Sequence, residues 1–113
     1  NRVMAEPVLV LTTVPSSLDA TTLAQDLVGT GVAACVTILP AVRSVYVWEG
    51  VPRVDEEQQL VIKTTDSQVD ALWDVLQPRH PYELPEFLVV PVVGGHEDYV
   101  RWIERSVAFK AES

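Results

Sequence analysis

The sequence has little cysteine, little positive charge and no long apolar run, and each shortage excludes a class of protein. Its single cysteine, Cys35, cannot form a disulfide within the chain and suits a reducing compartment such as the cytoplasm. No apolar run reaches the ~18 residues that a membrane-spanning helix needs. Lysine and arginine number 8 against 16 acidic residues, and the net charge of −8 argues against nucleic acid and anionic membranes as partners.

Motifs for nucleotide binding, metal-dependent hydrolysis and nucleophilic catalysis are also missing. The sequence contains no G-x-G-x-x-G, no P-loop, no C-x-x-C, no H-E-x-x-H and no G-x-S-x-G. We therefore expect a protein that is not an enzyme and that needs no obligatory cofactor. A small enzyme with His80 as base and Glu86 as acid is an alternative, but no feature of the sequence identifies a substrate for it.

The composition is that of one folded domain. Hydrophobic residues make up 48% and charged residues 21% of 113 residues. We expect a single domain over residues 7–107, with residues 108–113 frayed. Met4 is the only methionine, so we expect residues 1–3 to be a cloning remnant and residues 1–6 to form a disordered start without a targeting leader.

Hydrophobic periodicity predicts the element order β-α-β-β-α-β-α. The predicted elements are a strand over 8–13, a helix capped within 15–17, a strand over 32–48, a return strand over about 55–65, a helix capped by 66–67, a strand over 87–92 and a helix opened by Glu97 and Asp98. The first six elements form an α+β, ferredoxin-like βαββαβ sandwich with a long β-hairpin and an added C-terminal helix. Pro40 predicts a bulge within the hairpin. An open α/β sheet is the alternative that the long hairpin disfavours.

The predicted hairpin is apolar on both faces. Tyr46 and Trp48 lie on one face of the strand, and Val45 and Val47 lie on the other. A hairpin that leaves its own sheet with two apolar faces needs a cover, and another subunit is the natural one. The pattern predicts a homo-oligomer with Tyr46 and Trp48 at the interface.

Two residues are candidates for a metal site. A Cys35 thiolate suits Cu(I) or Zn²⁺, although a lone cysteine in an apolar strand is more often a small buried hydrophobe. His80 lies in a proline-rich loop with Tyr82 and Glu86, where imidazole and carboxylate suit Cu(II), Zn²⁺ or Ni²⁺. The alternative for this loop is that its prolines and Tyr82 only fix the crossing into the next strand.

Other charged residues have both a functional and a structural interpretation. Lys63 interrupts an apolar run and either holds an anion or protects a strand edge. Asp55 and Glu57 face one way and Glu56 the other, which favours a solvated edge over a single-chain cation site. His96 is expected to cap the last helix.

The chain also resembles the CutA family of divalent-cation tolerance proteins. The resemblance covers residues 7–107, and its segments are Val-Ala-Ala-Cys-Val at 32–36, Tyr-Val-Trp-Glu-Gly at 46–50, Ile-Lys-Thr-Thr at 62–65, His-Pro-Tyr-Glu-Leu-Pro-Glu at 80–86, and Tyr99 and Trp102. It implies a ferredoxin-like fold and a homotrimer similar to that of the PII signalling proteins. It also implies tolerance of copper and other divalent cations, with Cu(II) bound by some members.

The resemblance implies particular site residues. Cys35 and His80 match recurrent family residues, and Glu86 is a weaker third metal ligand. Thr12 and Val75 stand where some bacterial members have further cysteines, so a metal would need Cys35 with a histidine, or copies of one residue meeting across the trimer. The function implied is a non-catalytic, cytoplasmic, trimeric divalent-cation tolerance protein with Cu(II) or another divalent cation as its ligand.

A second function is compatible with the same trimer. In this alternative, a PII-like sensor binds a small anionic ligand in clefts between subunits. The cleft residues would be Lys63, Tyr82 and Trp102.

Overall fold

The computed structural model describes residues 5–111, with side chains as far as residue 107. The elements are, in chain order, β1 (Pro7–Pro15), α1 (Ala20–Gly29), β2 (Cys35–Trp48), β3 (Val51–Thr65), α2 (Val69–Leu76), β4 (Leu88–Pro91) and α3 (Glu97–Ala111). Short 3-10 turns, Asp66–Gln68 and Gln77–Arg79, flank α2. No helix within residues 5–111 is long and apolar enough to cross a membrane.

The four strands form one antiparallel sheet in the order β2-β3-β1-β4. The two central strands, β1 and β3, come from different halves of the chain, and each half adds one edge strand. This is the split βαβ arrangement, so the predicted α+β, ferredoxin-like fold class is confirmed.

The main core lies between one face of the sheet and helices α1 and α2. Alternate residues of β1 and β3 enter it, as the two-residue period of a strand requires. They meet leucines at helical spacing, and the largest of these buried side chains are Val10, Val14, Leu60, Ile62, Leu23, Leu27, Leu72 and Leu76. Burying each such side chain contributes about 1.5–3 kcal/mol. Helix α3 buries Ile103 and Val107 in a separate small cluster with Ala34.

Helix α1 begins later than the sequence predicted. Its N-cap is Asp19, whose Oδ1 accepts a hydrogen bond of 3.1 Å from the backbone N–H of Thr22. The serines expected to cap it lie in a preceding turn, which the 3.1 Å bond from Leu18 N to Pro15 O closes. The hydrogen bond from the backbone of Thr22 lowers the pKa of Asp19, which keeps the cap ionised.

The segment before α2 also differs from the prediction. Asp66 and Ser67 make a 3-10 turn rather than a side-chain cap. Asp66 instead binds the backbone of Glu6, through Oδ1 at 2.9 Å and through its own N–H at 2.8 Å. These two bonds join Glu6 to the turn before α2, and the expected disordered start stays a prediction.

The two ends of the chain are only partly described. Helix α3 continues to Ala111, and the expectation that residues 108–113 fray stays a prediction. The predictions for residues 1–4 and 112–113 lie outside the described residues.

The β2–β3 hairpin is long, bulged and tightly closed. The strand register shifts between Leu39 and Val42, where Ala41 has a φ of +59°, so the bulge predicted from Pro40 is confirmed. Glu49 and Gly50 close the hairpin with φ values of +52° and +78°, which is the pattern of a two-residue type I′ turn. Strand β1 covers β3 only as far as Glu57, so residues 51–56 pair with β2 alone.

Strand β4 differs most from its prediction. The apolar run over 87–92 predicted a buried strand, but all four residues of Leu88–Pro91 are exposed. The reason is its position, because β4 pairs with β1 on one side and with no other strand of the described chain. Its apolar residues therefore lie on an open sheet edge.

Candidate functional site

A cleft of about 570 Å³ lies between the outer half of the hairpin and the loop of residues 80–87. We call it the acidic cleft, because its lining includes four carboxylates: Asp55, Glu57, Glu83 and Glu86. Among the described residues, Arg53 is the one basic side chain on its wall. The cleft is also lined by three aromatic rings, those of Tyr46, Trp48 and Tyr82.

The local sequence explains why these carboxylates meet. Asp55 and Glu57 are two residues apart on β3 and therefore point to the same side, as the sequence predicted. The expected solvated edge is wrong for Glu57, which is only 5% exposed. The two-residue spacing of Asp55 and Glu57 indicated that both side chains lie on one side of β3. It could not indicate that Glu57 is buried, because the loop that covers Glu57 comes from a distant part of the chain.

A hydrogen-bonded chain fastens that loop to the sheet. Tyr82 Oη donates to Glu57 Oε2 at 2.5 Å, and the Tyr82 backbone N–H donates to His80 Nδ1 at 3.3 Å. His80 Nε2 lies 2.8 Å from the carbonyl oxygen of Thr13 on β1. Since a carbonyl can only accept, Nε2 donates, and because Nδ1 accepts from Tyr82 it carries no proton, so His80 is a neutral imidazole. Both ring nitrogens of this buried histidine are thus engaged within the chain.

Burial shifts the protonation of three groups around the cleft. Burial lowers the pKa of His80, against the opposing effect of its hydrogen bond to Thr13. Burial, and then the hydrogen bond to Glu57, raises the pKa of Tyr82. Burial, and then the nearby charge of Glu57, raises the pKa of Glu86. All three shifts follow from burial, and the negative charge of Glu57 adds to the shifts of Tyr82 and Glu86 but opposes that of His80.

Cys35 lies at a different position from His80. It is paired in register with Lys63, whose Nζ lies 3.6 Å from Cys35 Sγ and donates to Thr37 Oγ1 at 2.7 Å. His80 binds Thr13, whose partner on β3 is four residues from Lys63, or about 13 Å along the strand. The chain therefore does not bring Cys35 and His80 together. Within the residues with described side chains, no group of three His, Cys, Asp or Glu could hold a metal ion.

The remaining predicted site residues are divided between the cleft and α3. Glu86, Tyr82, Tyr46 and Trp48 line the acidic cleft, and Tyr46 Oη donates to Asp55 Oδ2. Lys63 and Trp102 are absent from its lining, so a single chain does not assemble the expected set of Lys63, Tyr82 and Trp102.

Trp102 and His96 belong to the α3 region. Trp102 is 39% exposed and lies beside Tyr99, with ring centroids 5.4 Å apart. His96 Nδ1 accepts from the N–H of Tyr99 at 3.3 Å, so its predicted capping role is confirmed.

The fold and the site define a small α+β protein of ferredoxin-like topology with a protruding hairpin and an acidic cleft beside it. The family model described as CutA1 divalent ion tolerance protein matches residues 8–106. The chain belongs to this family, as the sequence resemblance indicated.

Individual relatives agree over nearly the whole chain. The divalent-cation tolerance protein CutA of Pectobacterium atrosepticum is 43% identical over 107 residues, which cover 95% of this chain and 97% of that protein. The crystal structure of CutA1 from Oryza sativa is 37% identical with a TM-score of 0.85, covering 91% of this chain and 94% of that one. A structure of CutA from Synechococcus elongatus complexed with a Bis-Tris molecule is 43% identical with a TM-score of 0.81, covering 91% and 95%.

Proposed function

We propose that this chain forms a cytoplasmic homotrimer that acts in divalent-cation tolerance by binding divalent ions, Cu(II) included, without catalysing a reaction. The tolerance role follows from family membership. The acidic cleft is the single observation that carries the binding role, because its four carboxylates face one basic side chain and attract divalent cations. Within the described side chains of one chain no three such residues could hold a metal ion, so a complete set of ligands would come from more than one subunit. The cytoplasmic location rests on Cys35, which is a free thiol.

The proposed trimer rests on two surfaces that a single chain leaves open. The outer hairpin exposes Val45 by 77%, Val47 by 66% and Val54 by 65%, and β4 leaves an apolar sheet edge unpaired within the described chain. Exposed apolar surface and open strand edges favour contact with another copy. The number of three subunits rests on the family resemblance.

The expected metal ligands differ in how readily the chain presents them. His80 could bind a metal only by giving up one of its hydrogen bonds, to Thr13 or to Tyr82. Cys35 would have to be combined with residues of other subunits. Glu86 is the readiest of the three expected ligands, since it is half-buried at the cleft beside other carboxylates.

Calorimetric titration of metal-stripped protein with Cu(II) tests this proposal, with glycine present to suppress weak surface sites. We expect a fixed number of ions per trimer and binding weakened about ten-fold in Glu86→Gln, as for loss of one charged ligand. Glu104→Gln, on α3 and outside the cleft, is the matched control and should bind as the wild type does.

A Cys35→Ser, His80→Ala double variant tests the other two ligands in the same titration. Binding lost in the double variant and kept in Glu86→Gln would assign the metal to Cys35 and His80. Equal weak binding by all the variants and the wild type would contradict a direct metal role.

A small-ligand sensor is the second candidate function, and the size of the cleft favours it. Its volume of about 570 Å³ lies within the range of about 300–1,000 Å³ for small-molecule pockets. The Synechococcus elongatus relative has been observed with a Bis-Tris molecule. The acidic lining disfavours the anionic ligand that the sequence suggested.

A further inference from the structure

The sheet has a second face, on the side away from helices α1 and α2, and we call it the back face. Alternate residues of a strand lie on opposite sides of its sheet. Since Leu60 and Ile62 of β3 enter the core, the odd-numbered residues of β3 lie on the back face. The back face therefore runs from Lys63 to Glu57, which lines the acidic cleft.

The middle of the back face is apolar and partly open. On β1 it carries Leu9 and Leu11, which are half-buried. Their partners on β4 are Val90 and Leu88, and both are exposed. Leu39 of β2 is exposed on the same side. Contiguous apolar surface of this kind is typical of a protein–protein contact.

The two ends of the back face carry opposite charge. Lys63 Nζ donates to Thr37 Oγ1 at 2.7 Å, and no ion pair among the described side chains involves Lys63. Glu57 lies six residues away on the same strand, at about 20 Å. It belongs to the acidic cleft, where four carboxylates face one basic side chain. The distance exceeds the reach of a lysine side chain, so Lys63 cannot neutralise the cleft of its own chain.

A surface with one positive end, an apolar middle and one negative end is complementary to a second copy of itself. The positive end of one copy matches the negative end of the next, and complementary charges fix the register of such a contact. Because the two ends differ, the contact is head-to-tail, and head-to-tail contacts form a closed ring when the rotation between copies allows it.

We propose that in the assembled protein Lys63 of each subunit enters the acidic cleft of a neighbouring subunit and pairs with its carboxylates. The proposal rests on the proposed homotrimer and goes beyond it, because it names a residue that each subunit adds to the cleft of the next. Four carboxylates against Arg53 and one lysine still leave an excess of negative charge, so the cleft would still attract a divalent ion.

Zero-length cross-linking of the wild-type protein with a carbodiimide tests the proposal. The reagent forms an amide bond between an amine and a carboxylate that are in contact. We expect a covalent dimer on a denaturing gel, and mass spectra of its peptides should show Lys63 joined to a carboxylate of the acidic cleft. Lys63→Arg is the matched control, since its guanidinium keeps the charge but does not form the amide. This variant should assemble normally and lose the cross-link.

Charge reversal is the second test, with assembly measured by light scattering over a range of protein concentrations. Lys63→Glu places like charges together and should make the trimer dissociate at about ten-fold higher concentration than the wild type. Adding Glu86→Lys to the same chain reverses the pair and should restore the trimer. Asp74→Lys, exposed on α2 and away from the back face, is the control and should not restore it.

Two results would overturn the proposal alone. One is a trimer that Lys63→Glu leaves unchanged, and the other is an intact wild-type trimer in which Lys63 is cross-linked only to carboxylates outside the cleft, or not at all. If Lys63→Glu does not fold, the cross-link in the wild type decides by itself. A wild-type monomer would overturn this proposal together with the proposed trimer, whereas the Cu(II) titration tests the metal role separately.

Discussion

His80 is a histidine whose role is decided by its two neighbours rather than by its residue type. One ring nitrogen binds Thr13 of β1 and the other accepts from the Tyr82 backbone. The ring therefore connects the loop that covers Glu57 to the sheet. Protonation of Nδ1 would replace an acceptor by a donor and break the bond from Tyr82.

Stability is therefore expected to depend on pH through His80. Because burial lowers its pKa in the folded state, the unfolded chain binds a proton more readily below the ordinary value of 6.5. Both states are neutral above that value, so the free energy of unfolding falls only as the pH drops below it. Urea unfolding between about pH 7 and about pH 5 should show this loss.

The variant His80→Gln should remove that part of the pH dependence, because glutamine does not titrate. We expect a lower free energy of unfolding at neutral pH, by about 1–3 kcal/mol for disrupted buried hydrogen bonds, and a flatter slope below it. His96→Gln is the control, since it leaves His80 in place and should keep the slope. An undiminished slope in His80→Gln would contradict this assignment.

The residue types and their spacing in the sequence predicted only part of the site. The capping role of His96 was within reach of the sequence, because local spacing governs it. The sequence also placed Tyr82 and Glu86 in one loop, but it did not show that this loop lies against the hairpin. The burial of Glu57 was not within reach, because the covering Tyr82 lies 25 residues further along the chain. A carboxylate run cannot reveal which of its members a distant loop will cover.

At the scale of the element, the first helix depends on one side chain at its beginning. Asp19 accepts hydrogen bonds from both the backbone and the hydroxyl of Thr22. We expect Asp19→Ala to lower the free energy of unfolding by about 1 kcal/mol, the usual cost of losing an N-cap. Gln25→Ala, exposed on the same helix, should have little effect. A Ser17→Ala variant as destabilised as Asp19→Ala would favour the cap predicted from the sequence instead.

Periodicity predicted the elements better than it predicted their ends. Apolar spacing identifies the face that a helix buries, but its first residue depends on which side chain reaches a free backbone N–H group. Thus Asp19 rather than the preceding serines starts α1. For β4, the apolar run identified a strand but gave no information about how many strands would pair with it.

At the scale of the whole molecule, the apolar surface that a single chain leaves open is the basis of the proposed assembly. The hairpin and β4 together expose several valines and leucines, and the molecule is elongated, with extents of 51, 27 and 23 Å along its principal axes. Topology explains the limit of sequence prediction here. The element order gave the sheet, while the cleft combines segments whose approach depends on the whole fold.

Assembly can be tested through Trp48, near the end of the hairpin. Light scattering after size exclusion should give about three times 12.5 kDa for the wild type. Trp48→Arg should weaken the trimer, because it would place an unpaired charge in an apolar contact. Ala71→Arg, on the exposed side of α2, is the control and should leave the mass unchanged. A wild-type monomer at micromolar concentration would contradict the interface.

The incomplete cover of the hairpin also implies two rates of amide hydrogen exchange within one sheet. Near Leu60 and Ile62, β3 has a strand on each side and a core beneath it, so exchange there requires global unfolding. Residues 51–56 pair with β2 alone, and their amides can open without disturbing the core. Deuterium uptake by this outer segment should therefore be fast in a dissociated chain and slow in an assembled one, and would report the presence of neighbouring subunits inside a cell extract.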